Sequence, residues 1–556
     1  MGPVLSDDIY HLICDQLWYA RDFNTLYNCV LSGRRLAAPA LANLYRMHDV
    51  APVTSRGSDE VEVARQARGV DVRPTYEDQQ FKWVKLWRAL ILSSLGMTAY
   101  AYCYYVRALS LSDLRQLLED MNVRNSSAFF NGELSKFRIA TDTPMKLTRK
   151  STRQPRLNYS AILDAVGEVI TKHTPLLEEL SGDRISSASL LTWIPRLPRL
   201  QRLGLWSGAS LANGAGKVVR DHCRSFRILE FYEWSDPEAD KLMAAFITDL
   251  RPQSLESLEI FSHSDVGAET FIAMTNHSDT LVKLAISIKS DAMPALPQLK
   301  NCSSLVSLEL LEIGGTTDLE KTQNDVFLEV VSWLKNCKSL RNITLKNMIS
   351  ASAILTPVLT ENDIRLERLE LEGYLPNSAR DFHQALSLQE TLRSVSLKSG
   401  TDEDFAGEEV DNFVRCLSKL RHLTELRLKD VSDYFRDDSI RALALNLPEL
   451  EEWFTGGYGI TDAIWQDIAQ LRNLRRLEIS AWTSFTIDGL LDYISKLGPG
   501  NNRLILNVMM ADPESSLSLE EQTLVREALA AQVEGRFDYI LARDPDISEY
   551  NGSDSD

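Results

Sequence analysis

The residues that could do chemistry in this chain are scattered rather than grouped. The seven cysteines, Cys14, Cys29, Cys103, Cys223, Cys302, Cys337 and Cys416, include no C-x-x-C pair. An odd, dispersed set of this kind reads as reduced thiols. His222-Cys223 is the one adjacent His/Cys pair, and two further ligands at zinc spacing are missing, so it reads as a buried thiol at a helix end. His383 and His422 have no nucleophile at a defined spacing. G-x-S-x-G, H-E-x-x-H and a G-x-G-x-x-G after a strand are all absent. The stretch Thr455–Thr461, TGGYGIT, lacks the G-K-[ST] of a phosphate loop. Its glycines allow unusual backbone angles and predict a protruding loop that presents Tyr458. The chain is therefore expected to be no enzyme and to hold no cofactor or metal. The chemistry left to it is non-covalent recognition.

The candidates for recognition recur at equivalent places in a repeat. Leu366–Leu371 reads LERLEL, with leucine at the first, fourth and sixth positions. The pattern returns from Leu200/Leu203/Leu205 to Leu474/Leu477/Ile479, with a degenerate copy at Leu450/Trp453/Thr455. Eleven copies spaced 24–35 residues apart carry the leucine-rich-repeat signature. The second and third apolar residues lie two apart, so they share one side of a strand. One strand cannot bury that side alone, whereas stacked copies make a continuous core. The segments between strands look helical: Val326, Phe327, Val330, Val331 and Leu334 fall at 3.6-residue spacing, as do Ala239, Leu242, Met243, Phe246 and Ile247. Val410, Phe413, Val414 and Leu417 do the same. The expected fold is α/β: a curved solenoid over residues 166–510 with a concave parallel sheet and convex helices.

Residues flanking the buried pair should face the concave side. After the third apolar position come Trp206, Tyr232 and Phe261. Between the second and third come Glu230 and Glu259, then Glu309, Glu370 and Glu478. Farther along, the outer row becomes Lys346, Glu372, Lys398 and Lys429, with Arg427 beside it. Exposed aromatics beside carboxylates would anchor a protein partner. Cross-strand aromatic pairs also stabilise a sheet with no ligand at all, so both readings stand. The target-binding set is Trp206, Tyr232, Phe261, Glu230, Glu259, Arg427, Lys429 and Tyr458.

Composition narrows the partners. The 556 residues are 44% hydrophobic and 25% charged, ordinary for a folded protein. A net charge of −18 argues against a general nucleic-acid binder. No apolar run of eighteen residues occurs, so no membrane span is expected. The start, MGPVLSDDIYHLICDQL, lacks the basic flank and apolar core of a signal peptide, which points to cytoplasm or nucleus. Residues 47–80 are charged and apolar-poor and read as a linker within a bridging region, 47–165. Phe81–Gly96 is expected to be helical, with Trp83, Leu86, Trp87, Leu90 and Ile91 on one core-facing side. Leu109–Leu118 reads as an early, imperfect repeat. Lys146, Arg149, Lys150, Arg153 and Arg156 form the one basic cluster. Leu504, Leu506 and Val508 alternate as a final strand, residues 511–543 read as a capping helix, and 544–556 as an acidic flexible tail.

The first 46 residues form a separate helical head. Ser6 or Asp7 can cap a helix carrying Ile9, Leu12, Ile13 and Leu17 at helical spacing. Breaks near Ala20–Asp22 and Gly33 separate two more short helices. Through Leu5, Asp8, Ile9, Ile13, Leu17, Asp22, Leu26, Cys29 and Val30 this segment resembles an F-box. Two positions depart from the family: Ser6 stands where it carries proline, and Leu36 where it carries tryptophan. The blocks Lys82–Gly96, Trp193–Trp206 and Gly535–Tyr539 are similar to filamentous-fungal F-box proteins with divergent repeats. The resemblance implies docking on the Skp adaptor, and through it on a cullin, with Leu5, Ile9, Ile13, Leu17, Leu26 and Val30 at the adaptor interface or its immediate support. It implies a substrate receptor of an SCF ubiquitin ligase, its repeats holding an unnamed target protein. The alternative is a leucine-rich-repeat scaffold without a ligase role, its head a helical cap.

Overall fold

The computed structural model describes residues 6–20, 22–46, 73–141, 157–315, 317–400, 405 and 407–542; between 73 and 80 only the side chains of Asp78 and Gln80 are included. Leu5, the basic cluster and the acidic tail lie outside the described residues. The chain divides into two units, Met1–Leu281 and Val282–Asp556. No helix among the described residues is long and apolar enough to cross a membrane.

The first unit opens with three short helices, α1 (Asp7–Tyr19), α2 (Phe23–Ser32) and α3 (Arg34–Leu44). Asp22 caps α2 by accepting from the Thr25 backbone N–H at 3.0 Å and from its hydroxyl at 2.6 Å. These bonds hold the Asp22 carboxyl below its usual range. The head's core is small: Cys14, Leu26 and Ala40, with Leu17, Trp18, Phe23, Cys29, Val30 and Leu36 packed around it. Next comes α4 (Arg73–Ser94), which begins inside the segment expected to be linker. Trp83, Trp87, Leu90 and Ile91 are buried along it. Both indole N–H groups donate to Asp113 Oδ2, at 2.9 and 3.0 Å, so the two tryptophans are fixed by a carboxylate as well as by packing.

Five parallel strands follow in this unit: β1 (Ala108–Ser110), β2 (Glu179–Gly182), β3 (Arg202–Ser207), β4 (Ile228–Glu233) and β5 (Ser257–Ile260). Their register aligns Leu109, Leu180, Leu203, Leu229 and Leu258 in one buried row. The second unit holds ten: β6 (Lys283–Lys289), β7 (Ser307–Ile313), β8 (Asn342–Lys346), β9 (Arg368–Tyr374) and β10 (Ser394–Ser399), then β11 (Glu425–Lys429), β12 (Glu452–Thr461), β13 (Arg476–Ser484), β14 (Ile505–Ala511) and β15 (Arg536–Leu541). Here the row runs Leu284, Leu308, Ile343, Leu369, Val395, Leu426, Trp453, Leu477, Leu506 and Phe537. Helices such as Asn324–Asn336 and Glu408–Leu417 cover it. Most strands thus bury an apolar pair, at about 1.5–3 kcal/mol per side chain. This is the leucine-rich-repeat fold in α/β form.

Three expectations need correcting. Strand β2 was not anticipated: its third position is Gly182, and the space a side chain would take is filled by Ile185 and Leu111. The C-terminal segment is more than a cap. Helix Leu519–Val533 leads into β15, a full parallel partner of β14. TGGYGIT is no protruding loop but part of β12, in register with β13 from Glu452 to Thr461. Gly457 (φ 141°) and Gly459 (φ 70°) make the bulge there, and a Cβ on Gly457 would lie 2.5 Å from the Phe435 carbonyl oxygen.

Candidate binding surface

Side chains that alternate with the buried rows project from the outer faces of head and sheet. On α1, Ile9 (39% exposed), Leu12 (62%) and Ile13 (41%) lie at i, i+3 and i+4, on one side of the helix away from Cys14. On α2, Tyr27 and Leu31 are exposed. Of the implied adaptor residues, Ile9 and Ile13 face outward. Leu17 and Val30 pack partly against the head core, and Leu26 is fully buried within it. Leu26 can therefore act only as support, because no surface of it remains for a partner. Leu12, Tyr27 and Leu31 belong to the exposed set and were missed. The helical spacing of Leu12 with Ile9 carried that signal.

The head is tied to the first strands. The Arg46 guanidinium lies 4.5 Å from the Trp18 ring centroid and pairs with Glu179. Tyr45 stacks on Tyr102 at 5.1 Å, and Phe23 meets Trp83 edge-on at 5.9 Å. Beneath them is a cleft of about 410 Å³ lined by Trp18, Arg46, Glu179, Ser181, Arg202 and Glu230. Its two guanidiniums are already neutralised, Arg46 by Glu179 and Arg202 by Glu230 at 2.7 Å.

Beside that cleft, Trp206 and Tyr232 stack with ring centroids 4.3 Å apart and planes at 19°. Phe261 lies just past β5 and is half exposed, its N–H donating to the Phe231 carbonyl at 3.1 Å. The row is thus a stacked pair followed by a separate ring. Glu230 is engaged by Arg202, and Glu259 is only 7% exposed and accepts from the Ser257 hydroxyl at 3.0 Å. Glu259 cannot meet an incoming partner, because its neighbours cover it. The pair itself invites a stability test. Trp206→Ala, Tyr232→Ala and the double variant should show a coupling of about 0.5–1.5 kcal/mol in a denaturant double-mutant cycle.

In the second unit most outer-face charges are matched. Arg427 bridges Glu425 at 2.6 Å and Glu452 at 2.7 Å, and Lys346 bridges Glu309 at 2.9 Å and Glu370 at 3.8 Å. Lys429 instead lies over the Phe454 ring at 5.3 Å. A hollow of about 130 Å³ is lined by Arg427, Lys429, Glu452, Phe454, Arg476 and Glu478. Tyr458 is 53% exposed and stacks on Trp482 at 6.0 Å and 22°. The structure therefore brings Arg427 and Lys429 together around Phe454. Phe454 and Trp482 were missed, although Phe454 occupies the same place in its repeat as Glu230. Two of the polar groups singled out for chemistry have local partners. Cys223 donates weakly to the Leu197 carbonyl at 3.3 Å, and burial pushes its thiol up to about 12. His422 pairs with Glu449 at 3.0 Å on the surface.

No known family's model matches the chain, and no curated protein matches it. Solved structures similar to it include the following three. An internalin from Listeria monocytogenes has 14% identity and a TM-score of 0.35 over 59% of this chain and 81% of its own. The yeast Rad7 and Elc1 complex has 14% identity and a TM-score of 0.37 over 84% of this chain and 96% of that one. A TLR13–ssRNA13 complex has 15% identity and a TM-score of 0.33 over 67% and 51%. The repeat register and strand–helix order of the chain itself, rather than these likenesses, establish its leucine-rich-repeat fold.

Proposed function

We propose that this chain is the substrate-recognition subunit of an SCF-type cullin–RING ubiquitin ligase, an F-box protein of fungal type. The reading places it in cytosol or nucleus, with the head docked on the Skp adaptor and a target protein held on the sheet faces. The observation that carries it is α1: a helix that keeps Ile9, Leu12 and Ile13 in water while Cys14 is buried. Three large apolar side chains on one helix side call for a cover. The chain would contribute no catalytic group. It would raise the rate by holding a target near a ubiquitin-loaded enzyme. The scaffold reading keeps the same surfaces without turnover. To separate them, proteins captured by the wild-type chain are followed for ubiquitination and half-life in cells carrying either wild type or Ile9→Asp/Ile13→Asp. Faster, head-dependent turnover of captured proteins supports the ligase, whereas equal turnover favours the scaffold.

A further inference from the structure

Strands β10 and β11 set Lys398 directly opposite Lys429. Paired strands lie about 4.8 Å apart, and like charges facing each other across them destabilise a sheet. Both side chains are exposed, and among the described residues neither ammonium has a carboxylate partner within 4.0 Å. The contrast with their neighbours matters, because Arg427, Lys346 and Arg476 all have carboxylate partners. Glu372 of β9 stands opposite Lys398 on its other side, so the row is mixed in charge. Between β10 and β11, however, two cations face each other with no ion pair among the described residues, and an anionic group seated there would relieve their repulsion.

The ground next to them is low and walled by aromatic rings. Lys429 reaches over Phe454, and beyond Phe454 the outer face of β12 and β13 drops to Gly456 and Ser480, which are paired in register. Phe454 stands on one side of this low strip, and the stacked Tyr458 and Trp482 stand on the other. Met509 continues the strip on β14, opposite Ser480. The geometry points to a trough for an extended protein segment: we propose that an acidic or phosphorylated side chain sits between Lys398 and Lys429 while an apolar residue lies on Gly456 and Ser480 between the aromatic walls. The crossing from the lysines to Ser480 spans roughly three strand spacings, about 14 Å, or about four residues of extended chain. The proposal rests on the reading of the sheet face as a protein-binding surface and specifies what that surface takes. It does not depend on the head.

The test uses the full chain and immobilised twelve-residue peptide libraries with a fixed central phosphoserine, aspartate or lysine and the other positions randomised. Binding should favour the phosphoserine and aspartate libraries over the lysine library by at least tenfold. An aromatic or aliphatic residue should be selected about three to five positions from the acid. Binding to phosphoserine alone would identify phosphate as the anion, and binding to both would show that a carboxylate suffices. Lys398→Glu/Lys429→Glu should lower binding at least tenfold. So should Gly456→Leu, which fills the strip; its Cβ would meet only the Ser480 and Ser432 carbonyl oxygens, at 3.6 and 3.7 Å, so the fold accommodates it. Thermal midpoints near wild type would show that both variants fold. Equal binding of the lysine library, no library bound, or unaffected variants would overturn the proposal. Adaptor binding is read on the same preparation. A chain that takes adaptor but no acidic peptide overturns the trough alone, and the converse overturns the ligase reading alone.

Discussion

Lowering the pH from 7 to 4.5 will cost the second unit about 2–3 kcal/mol through His383 alone. His383 is fully buried among aromatic rings: Phe413 at 4.5 Å, Phe382 and Phe405 at 5.8 Å, and Tyr374 at 6.2 Å. Among the described residues neither ring nitrogen has a hydrogen-bond partner. Burial without a partner disfavours the charged imidazolium and brings the group down from 6.5 to about 4. The unfolded chain therefore takes up a proton near pH 6.5 that the folded chain refuses until about pH 4. Stability from neutral His383 is fully present above pH 6.5 and falls away as the pH drops toward 4. His277 works in the same direction. It is buried, its Nδ1 accepts from the Ser254 and Leu255 N–H groups, and its Nε2 lies 3.3 Å from the Ile247 carbonyl, which leaves no site for a second proton. Urea midpoints at pH 7, 5.5 and 4.5 for wild type and His383→Phe measure the term. The variant's profile should be flatter by the stated amount, and superimposable profiles would refute the assignment.

Trp453→Ala should cost about 3–5 kcal/mol, among the largest effects of any single substitution in the repeats. Trp453 is 1% exposed and stands in the buried row between Leu426 and Leu477, where the other repeats carry leucine, isoleucine or valine and the last strand carries Phe537. The indole occupies volume that Thr455, buried two residues on, does not fill. Among the described residues its N–H has no partner, which sets a desolvation cost against the packing gain. Trp453→Leu removes that orphaned donor along with some volume, so its loss should be well below that of alanine. Equilibrium unfolding of both variants checks the order; an alanine variant no worse than the leucine one would mean that the packing gain is small.

The regular repeats were legible because burial on one side of a strand leaves a fixed spacing, as in Leu369 and Leu371. Where another element supplies the filling, the spacing disappears. Gly182 gives no hint of β2, since Ile185 and Leu111 take the place of its side chain. Glycines misled at Thr455–Thr461, where Gly457 and Gly459 bend a strand rather than end it. Locally the site was half legible. Trp206 and Tyr232 do stack, and Lys429 and Arg427 do share a hollow. The burial of Glu259, the pairing of Arg46 with Glu179 and the joint hold of Asp113 on Trp83 and Trp87 depend on packing between distant segments, which leaves no periodic trace.

Docking of the adaptor on the exposed side of α1 is what the proposed function rests on. The most direct measurement is co-purification of the full chain with the Skp adaptor, beside Ile9→Asp/Ile13→Asp. Both isoleucines are about 40% exposed, so the variant should keep its fold and its unfolding midpoint. Two carboxylates placed in an apolar interface should lower adaptor affinity at least a hundredfold, a loss of about 3 kcal/mol or more. Wild-type binding that the folded variant loses is the predicted result. A well-folded wild type that does not bind, or a variant that binds equally well, would rule out adaptor docking through α1 and leave a repeat scaffold with a helical head.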